Sequence, residues 1–377
     1  MHKFDYSFLD KGLIPARLLN ITSDIYTLRT MSGERKSQFV ELFTELAAIA
    51  KVQSVKCSNA IEGIVTTDQR VSEIVNGRSA PLNHSEQEIA GYRDALDAVH
   101  TNYANLDVRQ SDILGLHAVM MSFAADPLAG KYKEFDNDII EEDQNGRRKL
   151  RFHPTSADDT PDEMEQLVLA YSDAKNNANV NQLLLIPCVI LDFLCIHPFR
   201  DGNGRMSRLL SLLLLYQNGF DVGKYISFEE QINERKGNYY EALKQSSVGW
   251  HESRNDYSAF IMEFLTELYM CYKELDRRFM LVESRKVTKT ARIEALVLNS
   301  LTPVSKADIG KVLVDVSPTT IEAVLGKMVR SGQIRKIGSG RGTKYIRSQP
   351  GSSGAAWKLQ RSANKDTGYR MPVKDLE

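Results

Sequence analysis

The stretch His197-Pro198-Phe199-Arg200-Asp201-Gly202-Asn203-Gly204-Arg205-Met206-Ser207-Arg208 organises the reading of the whole chain. It lies between two apolar runs of helical character, 183–196 and 209–216. Polar groups held between apolar helices are unfavourable unless they converge on a ligand. Gly202-Asn203-Gly204 falls at the joint between the helices. Free backbone N–H groups at a helix N-terminus, with glycines permitting close approach, form an anion cradle. Arg205 and Arg208 are three apart, which predicts a shared face and a bidentate clamp on phosphate oxygens. Asp201 would repel a bare anion, and makes sense if a divalent cation bridges it to phosphates. The set fits a polyphosphate with Mg2+, most simply a nucleoside triphosphate. His197, just before the cradle, suits removal of a hydroxyl proton during attack on a phosphate. A lone histidine would read as a helix cap and a lone Gly-x-Gly as a joint; the full constellation argues for a site.

Composition sets the frame. With 377 residues, 42% hydrophobic, the chain can build one large core and a satellite unit. A formal net charge of −1 argues against binding of polyanions by the protein as a whole. The first residues carry no apolar run, and the run 183–196 contains Pro187 and Asp192 and is too short for a bilayer. Cys57, Cys188, Cys195 and Cys271 show no metal-ligand spacing. A cytoplasmic protein with reduced thiols and no membrane segment is expected.

Apolar periodicity from about 37 to 296 is helical. Phe39, Leu42, Phe43, Leu46, Ala47 and Ile49 form one stripe; Ile113, Leu116, His117, Met120 and Met121 form another. The exception is 138–153, where an acidic arm, Asn145-Gly146 and a basic return arm predict a β-hairpin. From about 290 the pattern is three short helices, with Ser305 and Ser317 as N-caps, followed by two strands around Gly338–Gly342. This resembles a winged helix-turn-helix. Residues 304–347 hold nine Lys/Arg against three Asp/Glu. The glycine- and serine-rich tail 348–377 is expected to be flexible.

The segment 197–208 resembles the signature of the Fic family, H-x-F-x-[DE]-G-N-G-R-x-x-R, at His197, Phe199, Asp201, Gly202, Asn203, Gly204, Arg205 and Arg208. The resemblance implies a mainly α fold: a Fic-type helical core with a small β-hairpin flap, here joined to the winged helix. It implies transfer of AMP from ATP to Ser, Thr or Tyr hydroxyls of proteins, the chain itself included. On this resemblance His197 is the general base and Asp201 the Mg2+ ligand. Gly202, Asn203 and Gly204 bind phosphates, and Arg205 and Arg208 clamp the β- and γ-phosphates. Phe199 anchors the loop in the core, Tyr239 borders the adenine, and Leu150, Arg151, Phe152 and His153 belong to a flap that aligns the target. Lys133 stands where many relatives carry an arginine.

Ser58-Asn59-Ala60-Ile61-Glu62-Gly63 resembles the family's inhibitory motif, [ST]-x-x-x-E-[GN]. The resemblance implies that Glu62 pairs with Arg208 and withholds it from ATP. The expected organisation is an N-terminal helical region carrying this motif (1–105), the catalytic core (106–285), the winged helix (290–347) and the tail. Expected partners are ATP and a target protein, with DNA or protein docking on the winged helix; a homodimer is left open. Two rival readings stand beside this one. In the first, a DNA-binding regulator uses the core to sense nucleotide. In the second, the same site removes AMP from modified proteins.

Overall fold

The computed structural model describes residues 2–124, 126–142, 148–283, 288–298, 300, 303–313 and 315–348. The Asn145-Gly146 turn and the tail beyond Ser348 lie outside the described residues. The fold is mainly α. Five helices, α1 (Phe8–Lys11), α2 (Ala16–Gln38), α3 (Val40–Ile61), α4 (Asp68–Val75) and α5 (His84–Asn102), make up the N-terminal region. Seven more follow: α6 (Gln110–Met120), α7 (Thr160–Lys175), α8 (Gln182–Ile196), α9 (Asn203–Gln217), α10 (Phe228–Glu234), α11 (Lys236–Ser246) and α12 (Ser258–Glu283). None of the described helices is long and apolar enough to cross a membrane.

The two helices flanking the signature are the centre of the core. Leu183–Phe193 of α8 and Arg205–Tyr216 of α9 are buried on every side. A helix with apolar residues all round must be enclosed. Here α7 and α12 cover α8, and α3 and α5 cover α9. The stripe read in α3 describes only its first half. Its second half buries Gln53, Ser54, Ser58 and Asn59 as well. Gln53 donates to Glu230 of α10 at 2.9 Å and Ser54 to Ser227, the N-cap of α10, at 3.0 Å, which gives one donor of each a partner.

Asp192 is the buried charge of α8. Its carboxylate accepts from Tyr6 Oη (2.8 Å), Trp250 Nε1 (2.7 Å) and Tyr257 Oη (3.0 Å). Burial pushes this carboxyl up to about 7 against the pull of those donors. The network ties the N-terminal segment onto the core, a long-range contact invisible in the apolar run. All four cysteines are free and buried.

The expected hairpin is present as β1 (Ile139–Glu142) and β2 (Arg148–Phe152), antiparallel, with Glu141 opposite Lys149. A bulge lies between Ile139 and Ile140. The hairpin is fastened to α11 and the loop after it. Arg151 donates to the Tyr240 carbonyl at 3.0 Å, and Phe152 stacks on His251 with centroids 5.3 Å apart.

The C-terminal unit has its own apolar cluster, with Ile293, Ile309, Leu325, Met328 and Tyr345 among its members. Its helices are α13 (Lys289–Leu298), α14 (Lys306–Val312) and α15 (Pro318–Arg330). The first starts at Lys289, where the sequence places the beginning of this unit. Ser305 and Asp308 form a capping box on α14, and Ser317 caps α15. The strands β3 (Val304–Ser305), β4 (Ile334–Ile337) and β5 (Lys344–Arg347) pair in the order β3-β5-β4. β3 was not anticipated, because two residues are too few to show a period.

Candidate active site

α8 ends at His197, whose backbone turns left-handed (φ 53°) while its N–H still reaches the Phe193 carbonyl at 3.0 Å. Pro198 bars continuation in the right-handed helical region. The loop then re-enters a helix at Gly202 (φ 81°), the N-cap of α9. Glycine is favoured there by the left-handed φ, and a Cβ would also have to displace the flexible Met120 methyl, 2.5 Å from its place. The helix starts at Asn203, earlier than the sequence suggested, so Asn203 and Gly204 form its first turn. The Asn203 amide latches the loop, accepting from the Phe199 N–H (2.9 Å) and donating to the Phe199 carbonyl (2.7 Å).

His117 supports the loop from α6. Its Nδ1 accepts from the Gly130 N–H at 3.0 Å, so the proton is on Nε2, which donates to the Asp201 carbonyl at 3.2 Å. The ring stacks on Phe199 at 3.8 Å. Burial pushes the His117 imidazole down to about 4. Unfolded histidine titrates near 6.5, so its contribution to stability is complete above about pH 6.5 and is lost as pH falls towards 4. His117→Gln should therefore flatten stability against pH in this window, by up to roughly 3 kcal/mol, in denaturant titrations at fixed pH steps. An unchanged slope would contradict this.

His197 donates from Nδ1 to the Leu194 carbonyl at 3.3 Å, since a carbonyl can only accept. Nε2 thus carries the lone pair. Burial drives its pKa down to about 4; the bond to Leu194 raises it and the Lys133 ammonium lowers it. The imidazole is neutral at pH 7 and able to take a proton.

Arg208 and Arg205 do not act together. At three residues' spacing two side chains diverge by about 60° around the helix. Arg208 turns to α3, donating Nε to Ser58 Oγ (2.8 Å) and Nη2 to the Ser58 carbonyl (2.9 Å) and Glu62 Oε1 (2.7 Å). Arg205 turns to α5, with Nη1 2.7 Å from Glu88 Oε2 and Nη2 3.2 Å from Asp201 Oδ2. Glu62 is the C-cap of α3, and Gly63 after it is left-handed (φ 80°). Burial opposes ionisation of Glu62, but the Arg208 guanidinium outweighs it and holds the carboxyl below its usual range.

The Glu62 carboxylate also lies against the first turn of α9. A Cβ on Gly204 would sit 2.3 Å from Glu62 Oε1. Gly204→Ala should therefore break the Glu62–Arg208 pair without making room for an anion, because the methyl fills the same space. ATP binding in this variant is expected to fall at least about tenfold, about 1.4 kcal/mol, by calorimetry. ATP affinity equal to that of wild type would refute this use of the turn.

His197, Gly204, Arg208, Glu62, Arg151 and Tyr239 line one cleft of about 200 Å3, together with Phe152 and Tyr240. Tyr239 meets Phe260 edge-on at 5.4 Å. Ser58 is fully buried behind Arg208. Asp201, Gly202, Asn203 and Arg205 belong to the loop and helix start rather than to the cleft lining. Leu150 is exposed on the hairpin, and His153 lies one residue beyond β2, 2.7 Å from Asp138. The Asp201 carboxylate is 61% exposed beside the helix start. Among the described residues no cluster of three metal-binding side chains exists. A single accessible carboxylate nevertheless suits Mg2+, which is usually held by one or two carboxylates with substrate phosphates and waters. The sequence reading missed Glu88, the hydrogen bonds of His117, and Asn137. Their contacts with the signature, to Arg205, Asp201 and Phe199, span more than sixty residues, so no local pattern marks them.

The fold and this loop define a Fic-type helical domain. Residues 106–215 match the model of the Fic/DOC family, and the chain carries a Fic domain. It is similar to the protein adenylyltransferase Fic of Nematostella vectensis, 26% identical over 208 residues. That match covers 53% of this chain but only 44% of the relative's length. A Fido domain-containing protein of Dictyostelium discoideum is 28% identical over 118 residues, 30% of this chain and 78% of that protein. Among solved structures, a Fic family protein from Desulfovibrio desulfuricans G20 superposes with a TM-score of 0.58 at 21% identity, covering 91% of this chain and 98% of that one. A Fic domain containing signaling protein from Bacteroides thetaiotaomicron gives 0.51 at 19%, covering 68% and 95%. These two share the fold.

Proposed function

We propose that the chain transfers AMP from ATP to protein hydroxyl groups, its own included, and that Glu62 restrains it. The observation that carries the reading is the cleft itself. A histidine with a free Nε2 lone pair, a helix N-terminus and an arginine held by a displaceable carboxylate all face it. In the proposed step the acceptor oxygen attacks the α-phosphorus in line, forming a P–O bond. The bond to the β-phosphate oxygen breaks, pyrophosphate leaves, and the acceptor proton passes to His197 Nε2. Gly204 and the first turn of α9 would cradle phosphate oxygens, and Arg208, once released, would clamp the terminal ones. Asp201 would hold Mg2+, which neutralises phosphate charge when bound. Arg205, tied to Glu88 and Asp201, would orient that carboxylate. Tyr239 would border the adenine, and a target segment would align on β2 by strand addition.

Mass spectrometry of the Glu62→Gly protein incubated with ATP and a cell lysate tests the reading. AMP-modified serine, threonine or tyrosine on any protein supports it; a folded, ATP-binding variant that labels nothing overturns it. A second reading concerns the C-terminal unit. Arg335, Lys336, Lys344 and Arg347 are all exposed on β4 and β5, which favours contact with nucleic acid through a winged helix. Mobility shifts with a steep salt slope would support it, and salt-insensitive or absent shifts would exclude it.

A further inference from the structure

The loop that presents His197 is held from one side by a short segment that the proposed reaction does not use. The Lys133 N–H donates to the Pro198 carbonyl at 2.9 Å. Its ammonium donates to the Ile196 carbonyl at 3.2 Å and to Asn137 Oδ1 at 2.8 Å. Asn137 Nδ2 in turn donates to the Phe199 carbonyl at 3.2 Å. Three carbonyls around His197 are therefore bound by two residues four positions apart.

We propose that Lys133 and Asn137 are positioning residues that clasp the carbonyls of Ile196, Pro198 and Phe199 and so hold His197 in its left-handed turn. A left-handed backbone at a non-glycine residue persists only where its surroundings impose it. The side chain chosen for the task is informative. Lys133 is 4% exposed, and no carboxylate lies within ion-pairing distance of it among the described residues. Burial drives the ammonium down to about 8. Asp136 and Glu163 favour its charge from beyond ion-pairing distance without offsetting that burial, and a buried charge so placed is unfavourable for folding. Its use lies in its field: it opposes protonation of His197, as burial does, whereas Glu62 and Asp201 favour it. Arg151 and Arg208, with Tyr239, Tyr240 and the Cys195 thiol, are the other ionisable groups lining the cleft. The clasp thus fixes where the base sits, and its ammonium adds to the burial that keeps the imidazole neutral.

The inference rests on the AMP-transfer reading for its kinetics, but not for its spectroscopy. In a Glu62→Gly background, Lys133→Met keeps the volume and removes the charge and its donors. It should lower kcat about tenfold or more, as small misplacements of a reacting group do, with KM for ATP within about twofold. It should also move the acidic limb of the pH profile upwards. Lys133→Arg should restore most of the rate and the limb, while Asn137→Ala should lower kcat and leave the limb in place. NMR of the full chain labelled at histidine ring carbons should show His197 titrating at higher pH in Lys133→Met. A Lys133→Met protein of unchanged circular dichroism with the kcat of its Glu62→Gly parent and an unmoved His197 titration overturns the proposal. So does a Lys133→Arg protein as impaired as Lys133→Met. Should Lys133→Met fail to fold, Lys133→Arg and Asn137→Ala decide by the same readouts. If the Glu62→Gly parent transfers no AMP, the transfer reading fails, while the His197 titration still decides the clasp.

Discussion

Glu62→Gly is expected to raise the initial rate of AMP incorporation at least about tenfold over wild type, measured with α-labelled ATP. The expectation follows from two contacts of one carboxylate. Glu62 Oε1 takes an Arg208 N–H at 2.7 Å, and it lies so close to Gly204 that a methyl there would overlap it. An anion seated on the first turn of α9 must displace Glu62, and ATP bound without the arginine would present its α-phosphorus out of line. Removal of the side chain frees the clamp and the space together. It also leaves the Arg208 guanidinium, 2% exposed, without its carboxylate, which destabilises the ligand-free fold. ATP should therefore raise the melting temperature of Glu62→Gly more than that of wild type, since ligand then supplies the missing anion. A properly folded Glu62→Gly protein with unaltered rate and unaltered ATP stabilisation would remove Glu62 from any regulatory role.

The largest loss is expected from His197→Ala, tested in the Glu62→Gly background. Removing a positioned general base typically lowers rate by about 10² to 10⁴. ATP affinity should hold within about threefold, because in the proposed step His197 receives the acceptor proton and holds no phosphate. The reaction needs the neutral imidazole, so rate must fall as pH drops through the His197 pKa. In the ligand-free enzyme that value is pushed down to about 4, and kcat/KM reports the free enzyme. The acidic limb of kcat/KM should accordingly lie well below pH 6.5, whereas bound phosphates draw the limb of kcat upwards. An acidic limb of kcat/KM at or above the ordinary histidine value, or a His197→Ala variant retaining most activity, would point to another base.

Much of this site was legible because its signals are local. The Gly-Asn-Gly joint, the apolar helices on either side, and the serines that cap α14 and α15 each act within a few residues. Hairpin arms declared themselves by opposite charge, and Glu141 does face Lys149. The separation of Arg205 from Arg208 was not legible. Spacing gives the angle between two side chains but not the carboxylate each will meet, and Glu88 and Glu62 come from different helices. His117 likewise belonged to an apolar stripe until Gly130 and Asp201 gave its ring nitrogens their roles.

The sequence by itself determined the helical class, the residue types gathered in the loop from His197 to Arg208, and the motif from Ser58 to Gly63 that carries Glu62. Those follow from propensity, capping and side-chain type, which act along the chain. Only the tertiary structure decided that Glu62 lies on Gly204 and that Lys133 and Asn137 hold the carbonyls beside His197. It also assigned the two signature arginines to opposite partners. Such contacts join residues tens to more than a hundred positions apart, and burial alone makes them strong enough to choose among partners.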